Sequence, residues 1–175
     1  MLSSRPSPDE AENVERVIVS SPRSVSRTPP SVVAAGSIVT SQLEVQTTGM
    51  GFFEVTAEID AFLREAGARE GALTAFIRHT SASLTIQENA DPSVLDDLTT
   101  ALDRLAPQKA GWVHDLEGPD DMPAHIKTML TSVSLTVPVI AGKLALGTWQ
   151  AVYLVEHRKA PHRREIVLQF CGRVA

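Results

Sequence analysis

Three alternating runs, residues 132–140, 144–157 and 164–171, follow one another with no helical spacing between them. Side chains two apart share one face of a strand, so such runs read as half-buried strands. Parallel neighbours need a crossover of a dozen or more residues, usually a helix. No helix stands between these runs, so this part of the chain reads as largely antiparallel, with Ala141-Gly142-Lys143 as the first turn. Upstream, residues 37–48 read as a further strand, and Gly49 and Gly51 mark a turn. Val55, Ile59, Phe62, Leu63 and Ala66 then fall at helical spacing, with Gly67 as the stop. Residues 73–79 and 84–88 read as strands. Asp91-Pro92 starts a helix, Asp as N-cap and Pro in the first turn, with Val94, Leu95, Leu98, Leu102 and Leu105 as its expected buried stripe. A second start at Asp120-Asp121-Met122-Pro123 opens a short helix whose apolar face is Ile126, Met129 and Leu130. The order β-α-β-β-α-α-β-β-β is not doubly wound. It predicts an α+β domain with about three helices on a mainly antiparallel sheet or small sandwich.

Composition bounds the rest. Residues 1–36 hold five of the eleven prolines, many serines and charges of both signs, which predicts a flexible extension, with a short strand-like run at 17–20. Residues 37–175 are then the single folded domain. The net charge of −5 speaks against nucleic acid as a partner, because phosphate backbones select a basic face. A single cysteine, Cys171, excludes an internal disulfide and a thiolate zinc cluster; at a strand end it is expected to be buried and inert, which fits a reducing compartment. No apolar run approaches the roughly 18 residues of a membrane helix. The first residues lack the apolar stretch of a secretory signal, and Asp9, Glu10, Glu12 and Glu15 oppose a mitochondrial transit peptide, so the cytoplasm is the expected location.

Two stretches carry more polar chemistry than a core uses. VHDLEGPDDMPAHIKTML, residues 113–130, holds His114, Asp115, Glu117, Asp120, Asp121 and His125. Asp121 and His125 are four apart and share a helix face. A helix N-terminus favours a neutral imidazole, which binds a metal or acts as a base; the competing reading is a surface histidine beside a capping acid. HTSASLTIQENADP, residues 79–92, holds the second group. His79 has the parity of Leu73, Ala75 and Ile77, which turns it inward, either as a satisfied core residue or as part of a site. Thr80, Ser81 and Ser83 are hydroxyl donors of the kind that suit a phosphate. Asp91 is explained by capping, whereas Glu88 and Asn89 are free to hold a substrate amide or orient a histidine. Three histidines from separate segments can converge on one metal in an open site. In GTWQ, residues 147–150, Thr148 and Gln150 flank Trp149, whose default place is the core. Arg158, Lys159, His162, Arg163 and Arg164 form a dense basic cluster that reads as a phosphate site or as a solvated hairpin tip.

Taken together, HTSASLTIQENADP, HDLEGPDDMPAHIK, GKLALGTWQAVYLVEHR and RREIV resemble the YjbQ family, also called UPF0047 or the secondary thiamine-phosphate synthase family. The resemblance spans roughly residues 37–171 and leaves out the extension. One departure is Gln87, where the family more often shows Asn. The resemblance implies a β-sandwich α+β fold, a trimer, and a thiamine-phosphate synthase activity that joins hydroxymethylpyrimidine pyrophosphate to thiazole phosphate. It implies His79, His114, Asp121 and His125 as catalytic, with His79, His114 and His125 as ligands of a divalent ion such as zinc, manganese or magnesium. It implies Ser81, Ser83, Glu88, Asn89, Thr148, Gln150 and Arg158 as substrate- and phosphate-binding residues, with Glu117 in the same matched segment. Two other functions fit these residues: a metal-assisted hydrolase of a small phosphate ester, and a non-catalytic trimeric binding module.

Overall fold

The computed structural model describes residues 29–175. Its elements run β1 (Ser37–Gln46), β2 (Gly51–Glu54), α1 (Thr56–Glu65), β3 (Ala68–Ile77), β4 (Ala82–Glu88), α2 (Pro92–Leu105), α3 (Asp121–Leu130), β5 (Ser134–Ile140), β6 (Lys143–Leu144), β7 (Gln150–Glu156) and β8 (Arg163–Val174). A five-stranded sheet has the order β1-β8-β3-β5-β6 and a three-stranded sheet the order β2-β7-β4. Every pairing is antiparallel. This is the antiparallel α+β architecture, with three helices, that the alternating runs predict. Of the expected extension, residues 1–28, including the strand-like run at 17–20, lie outside the described residues; 29–36 are exposed and form no regular element.

The core follows from strand periodicity. Leu73, Ala75 and Ile77 on β3 and Ile166, Leu168 and Phe170 on β8 are buried at every second position. They meet Leu84 of β4, Val152 and Leu154 of β7, and Ile59, Phe62 and Leu63 of α1 in one cluster. Between β3 and β8 the backbones close tightly at the paired Gly71 and Gly172, where a Cβ on Gly172 would run into the Glu70 carbonyl oxygen. β7 departs from alternation: Ala151 through His157 are all buried. It is the middle strand of its sheet, with one face on the core and the other near Thr99 and Leu102 of α2 and Lys127 of α3.

Several local expectations need correction. The strand expected over 144–157 is two strands, and Trp149 in the gap between them is 64% exposed rather than core. Residues 51–54 are a strand pairing with β7, not only a turn. α2 begins as expected, with the Asp91 carboxylate accepting from Ser93 N at 2.9 Å, but none of its stripe is fully buried and Leu105 is exposed. α3 buries the opposite face from the one its apolar residues suggest. Asp121, Pro123, Ala124, Lys127 and Thr128 face inward, while Met129 and Leu130 are exposed. The helix is placed by polar partners: Lys127 Nζ donates to Asp103 of α2 at 2.5 Å, and Thr128 bonds back to Ala124 O. Cys171 is exposed in mid-strand, because its neighbours Phe170 and Gly172 take the inward positions on β8.

Candidate functional site

Three connections pass from one sheet to the other at the same end of the molecule: 47–50 between β1 and β2, 78–81 between β3 and β4, and 157–162 between β7 and β8. Where sheets part company at such a corner, apolar strands cannot close the gap, and here polar groups fill it. Glu156 is fully buried and Arg164 is 2% exposed. Arg164 donates from Nε to Glu156 Oε2 and from Nη2 to Glu156 Oε1, both at 2.6 Å. Thr47 Oγ1 and Arg158 N complete the carboxylate at 3.1 and 2.9 Å. Burial would raise the Glu156 carboxyl, but the Arg164 bonds, then Arg158 N and the Arg164 charge, hold it below the usual range. Arg164 Nη2 also donates to Ser81 Oγ at 3.1 Å. His157 points the other way and pairs with Ser83 Oγ at 2.8 Å. Burial first, and the Lys127 charge second, push its pKa down to about 4.

The second layer lies on this corner and is built from the loop 113–120 and the first turn of α3. Asp121 is buried. His114 Nε2 lies 2.8 Å from its Oδ2, and His125 Nε2 lies 3.7 Å from the same oxygen. Arg158 Nη1 donates to Asp121 Oδ1, and Nη2 donates to the Glu117 carbonyl at 2.6 Å. Glu117 Oε2 and Asp120 Oδ2 also approach the guanidinium, at 3.6 and 3.4 Å. Asp120 accepts from Lys159 N at 2.8 Å. Burial alone would raise the Asp120 carboxyl; that backbone bond and the Arg158 charge bring it below its ordinary value. His125 Nδ1 lies 2.9 Å from Thr80 O, a carbonyl that only accepts, so Nδ1 carries the proton and neutral His125 keeps its lone pair on Nε2. The His114 and His125 rings stand 5.4 Å apart.

Of the residues singled out from the sequence, His114, Asp121, His125, Arg158 and Glu117 thus share one centre. His79 is exposed beside it, since β3 ends at Ile77 and the inward alternation does not reach residue 79. Ser81 and Ser83 sit beneath the centre, both buried, with their hydroxyls engaged by His79, Arg164 and His157. Glu88, Asn89, Thr148 and Gln150 lie elsewhere. Glu88 pairs with Gln150 six positions along β4 from the Ala82–Glu156 pair, about 20 Å away at strand spacing. There Gln150 Oε1 accepts from Gly147 N. The basic cluster is likewise divided. Arg164 is buried, Arg158 faces carboxylates, and exposed Arg163 pairs with Glu44 and Glu165. The sequence motifs point to no role for Glu156, Thr47 or His157, and place Arg164 in a phosphate site or a solvated hairpin tip rather than in a buried pair. The signal was parity: Arg164 precedes Ile166, Leu168 and Phe170, and Glu156 follows Val152 and Leu154, and a charge in an apolar stripe requires a partner.

The donor set fits a divalent cation. His114, Asp121 and His125 each offer one ligand atom, all within 4.8 Å of one another. Asp121, rather than His79, stands with the other two. The Thr80 carbonyl supplies the outer contact that fixes the tautomer of a ligating imidazole. Glu117, Asp120 and Asp121 outnumber the single guanidinium among them, which leaves an excess of negative charge for a cation to neutralise.

Fold and site together define a small antiparallel α+β protein that gathers histidines, acids and an arginine at the corner between its two sheets. Residues 41–173 match the family described as UPF0047 protein YjbQ-like, and the chain belongs to that family. It is 46% identical over 133 residues to UPF0047 protein sll1880 of Synechocystis, which covers 75% of this chain and 90% of the relative. It is 43% identical to UPF0047 protein YjbQ of Salmonella typhimurium, over 70% of this chain and 89% of that one. Among solved structures it resembles the conserved hypothetical protein TT1486 of Thermus thermophilus at 38% identity and a TM-score of 0.66, covering 77% of this chain and 99% of that one. Hypothetical protein APE1520 of Aeropyrum pernix is similar at 27% identity and a TM-score of 0.71, with 77% and 99% covered. Among the described residues no helix is long and apolar enough to cross a membrane.

Proposed function

We propose that this chain is an enzyme that acts on small phosphorylated substrates at the His114–Asp121–His125 centre, and that its reaction is thiamine-phosphate synthesis. The observation that carries the proposal is the convergence of those three ligand atoms within 4.8 Å, on a buried aspartate shared with Arg158. The substrate pair comes from the family resemblance. In that reaction the thiazole nitrogen attacks the pyrimidine methylene carbon, a C–N bond forms, and the C–O bond to pyrophosphate breaks with its electron pair leaving on pyrophosphate. Such a step needs charge neutralisation at the leaving group and close alignment of two flat rings. A divalent cation held by His114, Asp121 and His125 would supply the first. Arg158 contributes less directly, because its fork is filled by Asp121 and the Glu117 carbonyl, and a phosphate reaching it must displace one of them. Ser81 and Ser83 act from beneath as supports, since neither hydroxyl is exposed.

The test is a paired product assay. Purified protein with both substrates and a divalent ion is expected to release pyrophosphate and thiamine phosphate in equal amounts, and His125→Ala or a chelator to abolish both. Pyrophosphate or phosphate release without the thiazole partner would replace this reading with the hydrolase, which the same three groups favour by activating water. Assembly as a trimer belongs to the proposal as well. It comes from the family resemblance, as the substrate pair does. Light scattering on the eluting protein checks it. A His125→Ala variant that loses its oligomeric state, with no turnover in the parent, would favour the non-catalytic module.

A further inference from the structure

His79 and His125 are neighbours through Thr80, yet their hydrogen bonds are of opposite kind. His125 gives its Nδ1 proton to the Thr80 carbonyl. His79 Nδ1 lies 3.1 Å from Ser81 N, whose N–H has no acceptor capacity. It also lies 3.0 Å from Ser81 Oγ. That hydroxyl accepts from Arg164 Nη2, and once the Ser81 N–H has claimed the Nδ1 lone pair, the hydroxyl can meet the imidazole only as a donor. The backbone contact therefore requires a lone pair on His79 Nδ1, and the hydroxyl contact reinforces it. The hydroxyl half of this arrangement is held by the buried pair: Glu156 fixes the Arg164 fork, Arg164 holds Ser81 Oγ, and Ser81 Oγ meets His79.

We propose that the Glu156–Arg164–Ser81 chain locks neutral His79 in the Nε2–H form, making it a fixed hydrogen-bond donor for a phosphoryl or pyrophosphoryl oxygen of the substrate, beside a His125 that presents a lone pair. Among the described residues no group bonds His79 Nε2, and the ring is exposed at the corner where the site lies. This form explains why His79 stands apart from the cation-binding group. A ligating imidazole donates its second N–H outward, and His79 has an acceptor nitrogen at that place. Burial, and then the Arg164 charge, lower its pKa, which keeps the ring neutral. Arg164 and Ser81 are positioning residues; His79 is the group that meets substrate. The substrate contact rests on the synthase reading, whereas the tautomer does not.

The experiment is heteronuclear NMR of the imidazole nitrogens in the full-length protein without added metal, with His79→Gln used for assignment. At pH 7.5 the His79 signals are expected to show a protonated Nε2 and an unprotonated Nδ1, and Ser81→Ala, which keeps the backbone N–H on Nδ1 but loses the hydroxyl, to raise the Nδ1–H fraction while Nε2–H remains the major form. A wild-type His79 with its proton on Nδ1 overturns the proposal. So does a Ser81→Ala spectrum identical to wild type, because the chain would then play no part. In the paired product assay His79→Gln, which keeps an N–H donor, is expected to retain kcat within about tenfold, and His79→Leu to lose about 100-fold or more. Equal losses in the two variants overturn the donor role. Absence of turnover in the wild-type protein would remove the synthase reading, and the donor role with it, while the NMR result still decides the tautomer.

Discussion

His157 makes the stability of this domain depend on acid in a way that can be calculated. The ring is 2% exposed and bonds Ser83 Oγ at 2.8 Å, and its pKa falls from 6.5 to about 4 through burial first and the Lys127 charge second. In the unfolded chain the same imidazole titrates at its ordinary value. Between those two values the unfolded state therefore binds a proton that the native state refuses, and stability rises with pH. The penalty is absent above about pH 6.5, grows as pH falls, and is complete below about pH 4. At about 1.4 kcal/mol for each tenfold difference in proton affinity it amounts to roughly 3 kcal/mol in full, of which about 2 kcal/mol has developed by about pH 5. His157→Gln keeps a partner for Ser83 and does not titrate. Urea unfolding of both proteins at neutral pH and near pH 5 separates this contribution, because every other group titrates in both. Wild type should lose about 2 kcal/mol more than the variant. Equal losses would mean that the His157 ring meets water and titrates in the folded protein as it does in the unfolded chain.

Three other outcomes follow from the same corner and core. Arg164→Met strands the Glu156 carboxylate in a dry site and should cost about 3–5 kcal/mol by urea unfolding, much of it recovered by adding Glu156→Gln, since the uncompensated charge is then gone. Phe170→Ala, at the centre of the core and fully buried, should cost about 3–5 kcal/mol in the same assay. Met129→Lys on the outer face of α3 should leave monomer folding within about 0.5 kcal/mol, and a larger loss would mean that the apolar face of α3 is covered after all.

Much of this arrangement can be read from the residues alone, and the parts that cannot have physical reasons. Strand periodicity in 164–171 and the Asp91-Pro92 start survive intact, because alternation and capping are local. α3 misled, because its apolar residues Ile126, Met129 and Leu130 imply one buried face while Lys127 and Thr128 bury another through partners distant in sequence. The four-residue spacing of Asp121 and His125 announced one helix face, and His114 joins them because the loop folds back through the Gly118 N to Asp115 O bond. His79 was misread for a simpler reason: the strand stops two residues before it. Glu88, Asn89, Thr148 and Gln150 show the limit of motif reading, since proximity in a motif does not bring groups to one end of a sheet.

His114, Asp121 and His125 are proposed to hold a divalent ion at the reaction centre. Calorimetric titration of zinc into the metal-free protein, beside His114→Ala, tests it directly, because the exposed His114 ring can be removed without disturbing the core. One site per chain, weakened about 100-fold or more in the variant, is the predicted result. Equal zinc affinity in the two proteins, or no saturable site in the wild type, would contradict it.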